Sequence, residues 1–330
     1  MRAAHLPAYQ KAGFPVVAIA DIAGDRAAEV AAEWGIERSF ESIDEAVRFA
    51  PTDAIYDVAV PASQIMTILP QLPAGAAVLL QKPMGETLEE ARAIRDHCRQ
   101  YGLNLAVNFQ LRYAPNHLGA VALAREGVLG DLHDLEVQVR TFTPWSLWTF
   151  LSTAPRLEVL YHSIHYLDLI RSWLGNPAGV YAKTVRNPQC AGLAATKSSI
   201  VLDYGDWKRV VVVTNHGHDF AEESQCSFVQ WEGTEGAIRM DMGVNLDYPK
   251  GKPDTLSYAR RGDKESRWVS LPIGGNWFPD AFVGSMGVLQ AYVEGSVKEL
   301  PTGFESAFET MALVEAVYRS SARGGEPLPL

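Results

Sequence analysis

The chain of 330 residues has little of several features that would assign it to a specialised class of protein. It has no apolar run near the about 18 residues that a membrane-spanning helix needs, and no charged-then-apolar pattern at its amino terminus. Its three cysteines lie far apart in the sequence, which excludes a disulfide framework and a paired metal motif. We therefore predict a cytoplasmic globular protein with buried free thiols and no membrane partner.

A surplus of positive charge is also missing. The chain has 29 lysines and arginines against 39 aspartates and glutamates, for a formal net charge of -10. Because nucleic-acid binding depends on cations that displace phosphate counterions, this balance argues against a nucleic-acid partner. The length and a hydrophobic fraction of 47% are ordinary for two globular domains.

A further absence concerns nucleotide binding. Residues 1–14 have the pattern of a helix closed by Gly13, and the strand VVAIAD follows and ends at Asp21. This is the second half of a dinucleotide-binding βαβ unit, but no Gly-x-Gly-x-x-Gly turn precedes it. We expect the native protein to have about 25 more residues upstream, enough for a strand and that turn.

Asp21 is the candidate partner of the adenosine ribose of a dinucleotide. A carboxylate at the end of the second strand can accept hydrogen bonds from the ribose hydroxyls and repels a 2′-phosphate, which favours NAD over NADP. Arg26 lies in the next predicted helix and could reach a phosphate, so NADP stays possible. The alternative is a surface aspartate that begins a turn.

From Asp25 onward, helical and strand patterns alternate in the manner of a Rossmann-type doubly wound parallel sheet, here incomplete at its amino terminus. The run AVLLQ predicts a strand buried on both faces, which ends at Pro83 because proline cannot donate to a ladder. Ligands of open α/β sheets bind at the carboxyl ends of strands, which makes Lys82 a candidate binding residue. The alternative is a polar residue that merely ends a strand.

The pattern changes near Pro115. A helix is followed by period-two segments separated by short turns, which predict an α+β domain with a large, mostly antiparallel sheet. Two closing helices follow, and the one at about 304–322 is predicted to pack against the first domain. We predict a Rossmann-like NAD(P)-binding domain over 1–115 and a domain for substrate binding and oligomerisation over 116–330. A sheet rich in Val, Ile, Tyr and Trp would expose an apolar face, which favours a homodimer or tetramer.

A second group of reactive side chains lies in the segment EVLYHSIHYLDLIRSWLG, residues 158–175. On a helix, His165 and Asp168 share one face, and Tyr161 lies one turn before His165. His162 and His165 are three residues apart, but a divalent metal needs more ligands than the segment offers, so we predict no metal site. The alternative for His165 is a buried, hydrogen-bonded interface histidine.

Several of these segments resemble the GFO/IDH/MocA oxidoreductases, the family of glucose–fructose oxidoreductase and inositol dehydrogenase. QKP resembles the family's Glu-Lys-Pro signature with Gln81 in place of Glu, and HYLDLIRSWLG resembles its histidine helix. Val60-Pro61 resembles the Thr-Pro turn near the nicotinamide ribose, with Val in place of Thr. NFQLR resembles the Asn-x-x-x-Arg segment that faces the substrate, although Asn108 and Arg112 could equally be solvated residues at a strand end. The resemblance covers essentially the whole chain.

The resemblance implies roles for individual residues. Lys82 would lie between nicotinamide and substrate, and His165 would be the catalytic acid/base. Tyr161 stands where the family usually has an Asp and is a third catalytic candidate, as a substrate contact or part of a proton relay. The implied cofactor contacts are Asp21, Val60, Pro61, Gln81 and Lys82, and the implied substrate contacts are Asn108, Arg112, His162 and Asp168.

The expected activity is NAD(P)-dependent hydride transfer to or from a secondary alcohol of a sugar, cyclitol or related polyol, bound between the two domains. One alternative is a non-catalytic regulator of the same fold that senses a dinucleotide or a sugar. A distant alternative is a metal-dependent hydrolase.

Overall fold

The computed structural model describes residues 1–248, 250–262 and 267–329. The chain divides into two compact units, each built from two stretches of sequence. The first unit comprises Met1–Gln110 and Phe278–Met311, and the second comprises Leu111–Trp277 and the chain from Ala312 onward. The chain passes from the first unit to the second shortly before Pro115, where the sequence pattern changes.

The first unit begins with alternating helices and strands, as predicted. Its strands are β1 (Ala18–Ala20), β2 (Arg38–Phe40), β3 (Ile55–Val58), β4 (Ala77–Leu80) and β5 (Asn104–Val107). Its helices in this stretch are α1 (His5–Ala12), α2 (Gly24–Trp34), α3 (Ile43–Phe49), α4 (Ile65–Ile68) and α5 (Leu88–Tyr101). All pairings between these strands are parallel, which confirms the α/β class.

The parallel strands of the first unit form two separate sheets, β1–β2 and β3–β4–β5. In the Rossmann order 3-2-1-4-5-6, one further strand lies between the strands that correspond to β1 and β3. No strand from the part of the chain that the structure describes occupies that position. This is the strand for which sequence analysis finds no segment.

The central strand β4 shows why the sequence folds in this way. All four residues of AVLL are buried, because a parallel strand paired on both sides has both of its faces covered. The ladder continues for one residue, where the Gln81 N–H donates to the Val58 carbonyl at 2.9 Å. Helix α5 then begins at Leu88, preceded by the N-cap Thr87, whose hydroxyl accepts from the Glu90 N–H at 3.1 Å.

The second unit is built on one large sheet, which contains eight of the described strands. These are β6 (Leu132–Arg140), β7 (Gly179–Val185), β8 (Lys197–Asp203), β9 (Arg209–Asn215), β10 (Cys226–Gly233), β11 (Gly236–Asp241), β12 (Thr255–Arg260) and β13 (Val269–Leu271). Their order is β13-β12-β11-β10-β6-β9-β8-β7, and only the β6–β9 pair is parallel. The predicted α+β unit with a mostly antiparallel sheet is confirmed.

Four helices complete the described structure: α6 (Pro115–Arg125), α7 (Ile164–Leu174), α8 (Trp277–Val293) and α9 (Phe304–Arg323). Helix α8 packs apolar residues of the first unit against α1, β4 and β5. Helix α9 belongs to the first unit through Met311 and to the second from Ala312. None of the described helices is long and apolar enough to cross a bilayer.

Candidate active site

Lys82 lies where the sequence predicts, one residue beyond the end of the ladder at β4. Its side chain is half-buried, and this burial lowers the pKa of the ammonium from its ordinary value of 10.5 to about 8. Burial has this effect because a low-dielectric environment disfavours the charged form. An amine with a pKa near neutral pH is suited to donate a proton to a nearby oxygen and to regain it.

A buried hydrogen-bond network in the first unit leads to the backbone N–H of Lys82. Nδ1 of His5 is 2.7 Å from Oδ2 of Asp57, and the same oxygen accepts from the Tyr9 hydroxyl at 2.6 Å. Nε2 of His5 is 3.1 Å from the amide nitrogen of Gln81, whose oxygen accepts from the Lys82 N–H at 2.9 Å. Burial raises the pKa of Tyr9 above its ordinary value, and the Asp57 charge raises it further. Gln81 therefore bonds to protein groups on both ends of its amide.

Three other predicted residues follow the strands that flank Lys82. Val60 and Pro61 come after β3, with Val60 half-buried and Pro61 exposed. Asn108 comes after β5, where its N–H donates to the Leu80 carbonyl at 2.8 Å. Because the carboxyl ends of parallel strands meet at one edge, the structure brings all of these residues to the same edge as Lys82.

Asp21 follows β1, which belongs to the other parallel sheet of the first unit. It is half-buried, and its Oδ1 accepts from the Ala23 N–H at 2.9 Å. This bond is that of an aspartate beginning a turn, the alternative considered from sequence. The Asp21 carboxylate can accept further hydrogen bonds, because a carboxylate has about four acceptor sites.

The strand-end residues fit part of a dinucleotide. The side-chain amide of Asn108 is fully buried, and neither its oxygen nor its nitrogen has a hydrogen-bond partner among the described residues. A buried amide normally has partners, so this one is suited to a ligand group. Asn108 and Lys82 can hold the nicotinamide end, and Asp21 can hold the ribose. The residues at hand include no glycine-rich turn for the pyrophosphate.

In the second unit, Arg112 and Asp168 bind each other. The guanidinium donates from Nε at 2.6 Å and from Nη2 at 2.7 Å to the two carboxylate oxygens, and Asp168 is buried. The Arg112 carbonyl also accepts from Nδ1 of His117 at 2.7 Å. The sequence predicts Arg112 and Asp168 as substrate contacts. In the structure they bind each other, and this bidentate pair connects α7 to the segment before α6.

The histidine segment forms a helix whose first turn is wider than predicted. Val159–Ser163 is π-helical, α7 follows directly, and Gly175 ends it. His165 and Asp168 keep the predicted spacing of three residues within α7. Tyr161 lies within this π-helical turn and precedes His165 by four residues, about one turn of the helix.

His165, Tyr161 and His162 each contact an aromatic ring of the second unit. His165 is buried, and its ring lies 5.7 Å from that of Trp277. The Tyr161 ring is also buried and lies 5.9 Å from Phe150. The half-buried His162 ring lies 4.5 Å from the ring of His216.

The π-turn serves a buried carboxylate that sequence analysis did not identify. Glu158 accepts from the Ser163 hydroxyl at 2.6 Å, a contact between residues five apart. It also accepts from the Ser198 hydroxyl, and Nε2 of His216 lies 3.5 Å away. Burial opposes ionisation, but these contacts outweigh it, and the pKa of Glu158 lies below its ordinary value. The structure thus joins His216 to the start of the histidine helix.

Sequence reasoning missed His5 and Asp57 in the first unit and Glu158 and His216 in the second. A signal existed for Asp57, because it is a charged residue inside a strand that is otherwise apolar. None existed for the pairing of Glu158 with His216, because they come from distant parts of the chain. Within the described ranges, no three His, Cys, Asp or Glu side chains are grouped to hold a metal ion.

Comparison with known proteins identifies the family. The model of the "Oxidoreductase family, NAD-binding Rossmann fold" matches residues 1–109. The 1,5-anhydro-D-fructose reductase of Ensifer adhaerens is 32% identical over 323 residues, which cover 96% of this chain and 92% of the relative. The D-apiose dehydrogenase of Rhizobium rhizogenes is 26% identical over 327 residues, which cover 94% of this chain and 89% of the relative.

The fold also matches solved structures. An oxidoreductase from Agrobacterium radiobacter, crystallised with NAD+, L-tartaric acid and magnesium, superposes with a TM-score of 0.79 at 20% identity. The match covers 97% of this chain and 93% of that one. With the Lys-Pro strand end and the histidine helix in place, and with a relative above 30% identity along nearly its whole length, the chain belongs to the GFO/IDH/MocA family of NAD-binding oxidoreductases.

Proposed function

We propose that this chain transfers a hydride between NAD or NADP and a secondary alcohol of a sugar, cyclitol or related polyol. The observation that carries the proposal is the lowered pKa of Lys82 at the carboxyl end of a buried parallel strand. Perturbed pKa values are typical of groups that move protons in active sites. Relatives named for 1,5-anhydro-D-fructose and D-apiose support a sugar as the substrate class.

The bound nicotinamide would supply the hydride chemistry, taking a hydride from carbon or returning it. In the oxidation direction, His165 takes the proton of the hydroxyl group, and the carbon–oxygen single bond becomes a carbonyl. The Lys82 ammonium donates a hydrogen bond to a substrate oxygen and orients it. In the reduction direction, His165 returns the proton to the alkoxide oxygen.

The other predicted residues take supporting roles in this proposal. Asn108 supplies a buried amide for the nicotinamide or the substrate, and Val60-Pro61 borders the ribose. His162 remains a candidate substrate contact, because its half-buried ring lies beside His216. The mutual bond of Arg112 and Asp168 favours a structural role for that pair over direct substrate contact.

Tyr161 differs chemically from the aspartate that the family resemblance implies at its position. An aspartate would hold the His165 ring in one tautomer and favour its cation, whereas a neutral phenol does neither. The Tyr161 phenol and the His165 imidazole can instead act as a proton relay. The Tyr161→Phe variant tests the proton relay, since it removes the hydroxyl and leaves the ring contact with Phe150.

The test is a screen of sugars, cyclitols and polyols for NADH fluorescence with the purified protein. Protein variants are then assayed with the alcohol that the screen identifies. His165→Ala should lower kcat by about 10²- to 10⁴-fold, the usual contribution of a general acid/base, while the protein stays folded. His133→Ala, at an exposed strand position, is the matched control and should leave kcat unchanged. Normal turnover by His165→Ala would contradict the assignment of the base.

The screen also separates the enzyme from a sensor of the same fold. Calorimetry measures whether NAD binds, independently of turnover. A protein that binds NAD tightly but oxidises or reduces no member of the panel would support the regulator and not the enzyme. Tyr161 would then be the first residue to exchange for aspartate.

We also propose a cytoplasmic homo-oligomer formed through the large sheet. Tyr181 on β7, Val201 on β8 and Val213 on β9 are 67%, 44% and 40% exposed on one face. Tyr181 lies directly opposite Val201 in the ladder, and Val213 lies two residues from Val211, the partner of Val201 on β9. Such surfaces on globular proteins mark interfaces, and a second copy of the same sheet presents a complementary one.

A further inference from the structure

The hydrogen bonds of Gln81 determine which way its amide faces. The Lys82 N–H donates to the amide oxygen at 2.9 Å, so that oxygen must lie on the side of Lys82. The amide nitrogen then lies on the opposite side, 3.1 Å from Nε2 of His5. An amide NH₂ group only donates hydrogen bonds. Nε2 of His5 must therefore accept with its lone pair.

This arrangement places the single ring proton of His5 on Nδ1. Nδ1 lies 2.7 Å from Oδ2 of Asp57, which accepts as an ionised carboxylate. The charged and titratable side chains in hydrogen-bond contact here are Asp57 and Tyr9, and the Tyr9 hydroxyl donates to the same oxygen at 2.6 Å. The apolar ring of Phe282 lies 4.8 Å from the His5 ring, and the amino-terminal ammonium of Met1 interacts with the charge of Asp57. Every donor meets an acceptor only when His5 is neutral and Asp57 is ionised.

This network of hydrogen bonds is buried. The side chains of His5 and Asp57 are 4% and 11% exposed, so water does not compete for their polar atoms. The hydrogen-bond network runs from the α1 helix through the middle of β3 to the residue that follows β4. It ends on the backbone of Lys82 itself, at the point where the strand ladder has stopped.

We propose that His5 is a positioning residue for Lys82: as the neutral Nδ1–H tautomer it holds the Gln81 amide, which holds the peptide N–H of Lys82. The effect on turnover rests on the proposed function. The tautomer and the hydrogen bonds do not, because they exist in the protein without substrate.

The amide at position 81 and the neutral state of His5 require each other. A glutamate at this position would offer only acceptor oxygens to Nε2 of His5. That contact would be favourable only after the ring gained a second proton and became a donor at both nitrogens. The added carboxylate would also lie beside Lys82 and favour its ammonium form.

The first experiment is nitrogen NMR of the full chain labelled with ¹⁵N-histidine, with the His5 signals assigned by their loss in His5→Gln. The expected result at neutral pH is a neutral ring protonated at Nδ1, and in Gln81→Glu a doubly protonated ring. A wild-type His5 protonated at Nε2, or an imidazolium in the wild type, would overturn the proposal. Because no turnover is measured, this result stands whether or not a sugar is oxidised.

The second experiment measures kcat and KM with an alcohol identified by the screen. His5→Asn keeps a donor near Asp57 but removes the acceptor for Gln81, and should lower kcat by roughly ten- to a hundredfold with little change in KM. His5→Gln places an acceptor oxygen near the position of Nε2 and should recover part of kcat. The matched control is His97→Asn in α5, which should change neither constant.

Two outcomes would overturn the positioning role. One is an equal loss in His5→Asn and His5→Gln, because a merely structural histidine would not distinguish the retained acceptor. The other is an unchanged kcat in His5→Asn, a variant that retains Lys82. If the wild type itself acts on no alcohol, the proposed function fails, and the NMR result alone decides the tautomer.

Discussion

Replacing Lys82 with methionine should stabilise the folded protein even though it removes a proposed catalytic group. Burial lowers the pKa of this lysine from 10.5 to about 8. Since one pKa unit corresponds to about 1.4 kcal/mol, the folded state holds the proton less favourably than the unfolded state by about 3 kcal/mol. Methionine keeps an unbranched side chain of similar length without the charge. Lys82→Met should therefore raise the free energy of unfolding at neutral pH by up to about 3 kcal/mol.

The pH dependence gives the sign of the effect. Below pH 8 both the folded and the unfolded lysine are protonated, and the full cost is present. Between pH 8 and 10.5 the folded lysine is neutral while the unfolded one still binds its proton, so the cost falls as the pH rises. The difference in stability between Lys82→Met and the wild type should be largest near neutral pH and shrink towards about pH 10.

Urea unfolding followed by tryptophan fluorescence measures this difference at each pH. Lys298→Met, which changes an exposed lysine of the same unit, is the matched control and should alter stability by less than about 0.5 kcal/mol. A Lys82→Met protein that is no more stable than the wild type at neutral pH would refute the reasoning. So would a stability gain that stays constant as the pH rises.

Other predictions concern the second unit. Arg112→Met should cost about 3–5 kcal/mol in urea unfolding, because it leaves the Asp168 carboxylate buried without its ion pair; a loss below about 1 kcal/mol would show that water or another group replaces the arginine. Glu158→Gln should cost about 1.5–3 kcal/mol at neutral pH. Because the pKa of Glu158 lies below its ordinary value, the difference from wild type should vanish as the pH falls through that folded-state pKa, as acid unfolding curves can test. Tyr181→Lys with Val201→Lys should yield monomers in sedimentation at micromolar concentration, and an unchanged oligomer would place the interface elsewhere.

Much of the fold could be predicted because the determining interactions are local. The apolar run that forms β4 predicts a strand covered on both faces, and Pro83 predicts where it stops. In the second unit, strict alternation predicts half-buried antiparallel strands, and β8 shows it, with Ile200 buried and Val201 exposed. These signals repeat every two residues or end at a proline, so no distant contact is needed to interpret them.

The interiors of the two polar networks could not be predicted in the same way. Asp57 meets His5 across 52 positions of sequence, and Glu158 meets Ser198 across 40. Only the packed fold brings such pairs together. The π-turn has the same origin, because the bond from Ser163 to Glu158 needs a spacing of five that no helical periodicity in the sequence indicates.

The two networks place charge in opposite ways, and the difference bears on function. In the second unit, the buried carboxylate of Asp168 bonds to an arginine, and that of Glu158 bonds to hydroxyl groups. In the first unit, the buried carboxylate of Asp57 bonds to His5 and Tyr9, while the side chain next to Lys82 is the neutral amide of Gln81. A carboxylate at position 81 would favour the protonated form of Lys82. Beside the neutral amide, burial gives the ammonium a pKa of about 8, which costs stability and suits the role proposed for Lys82 at a substrate oxygen.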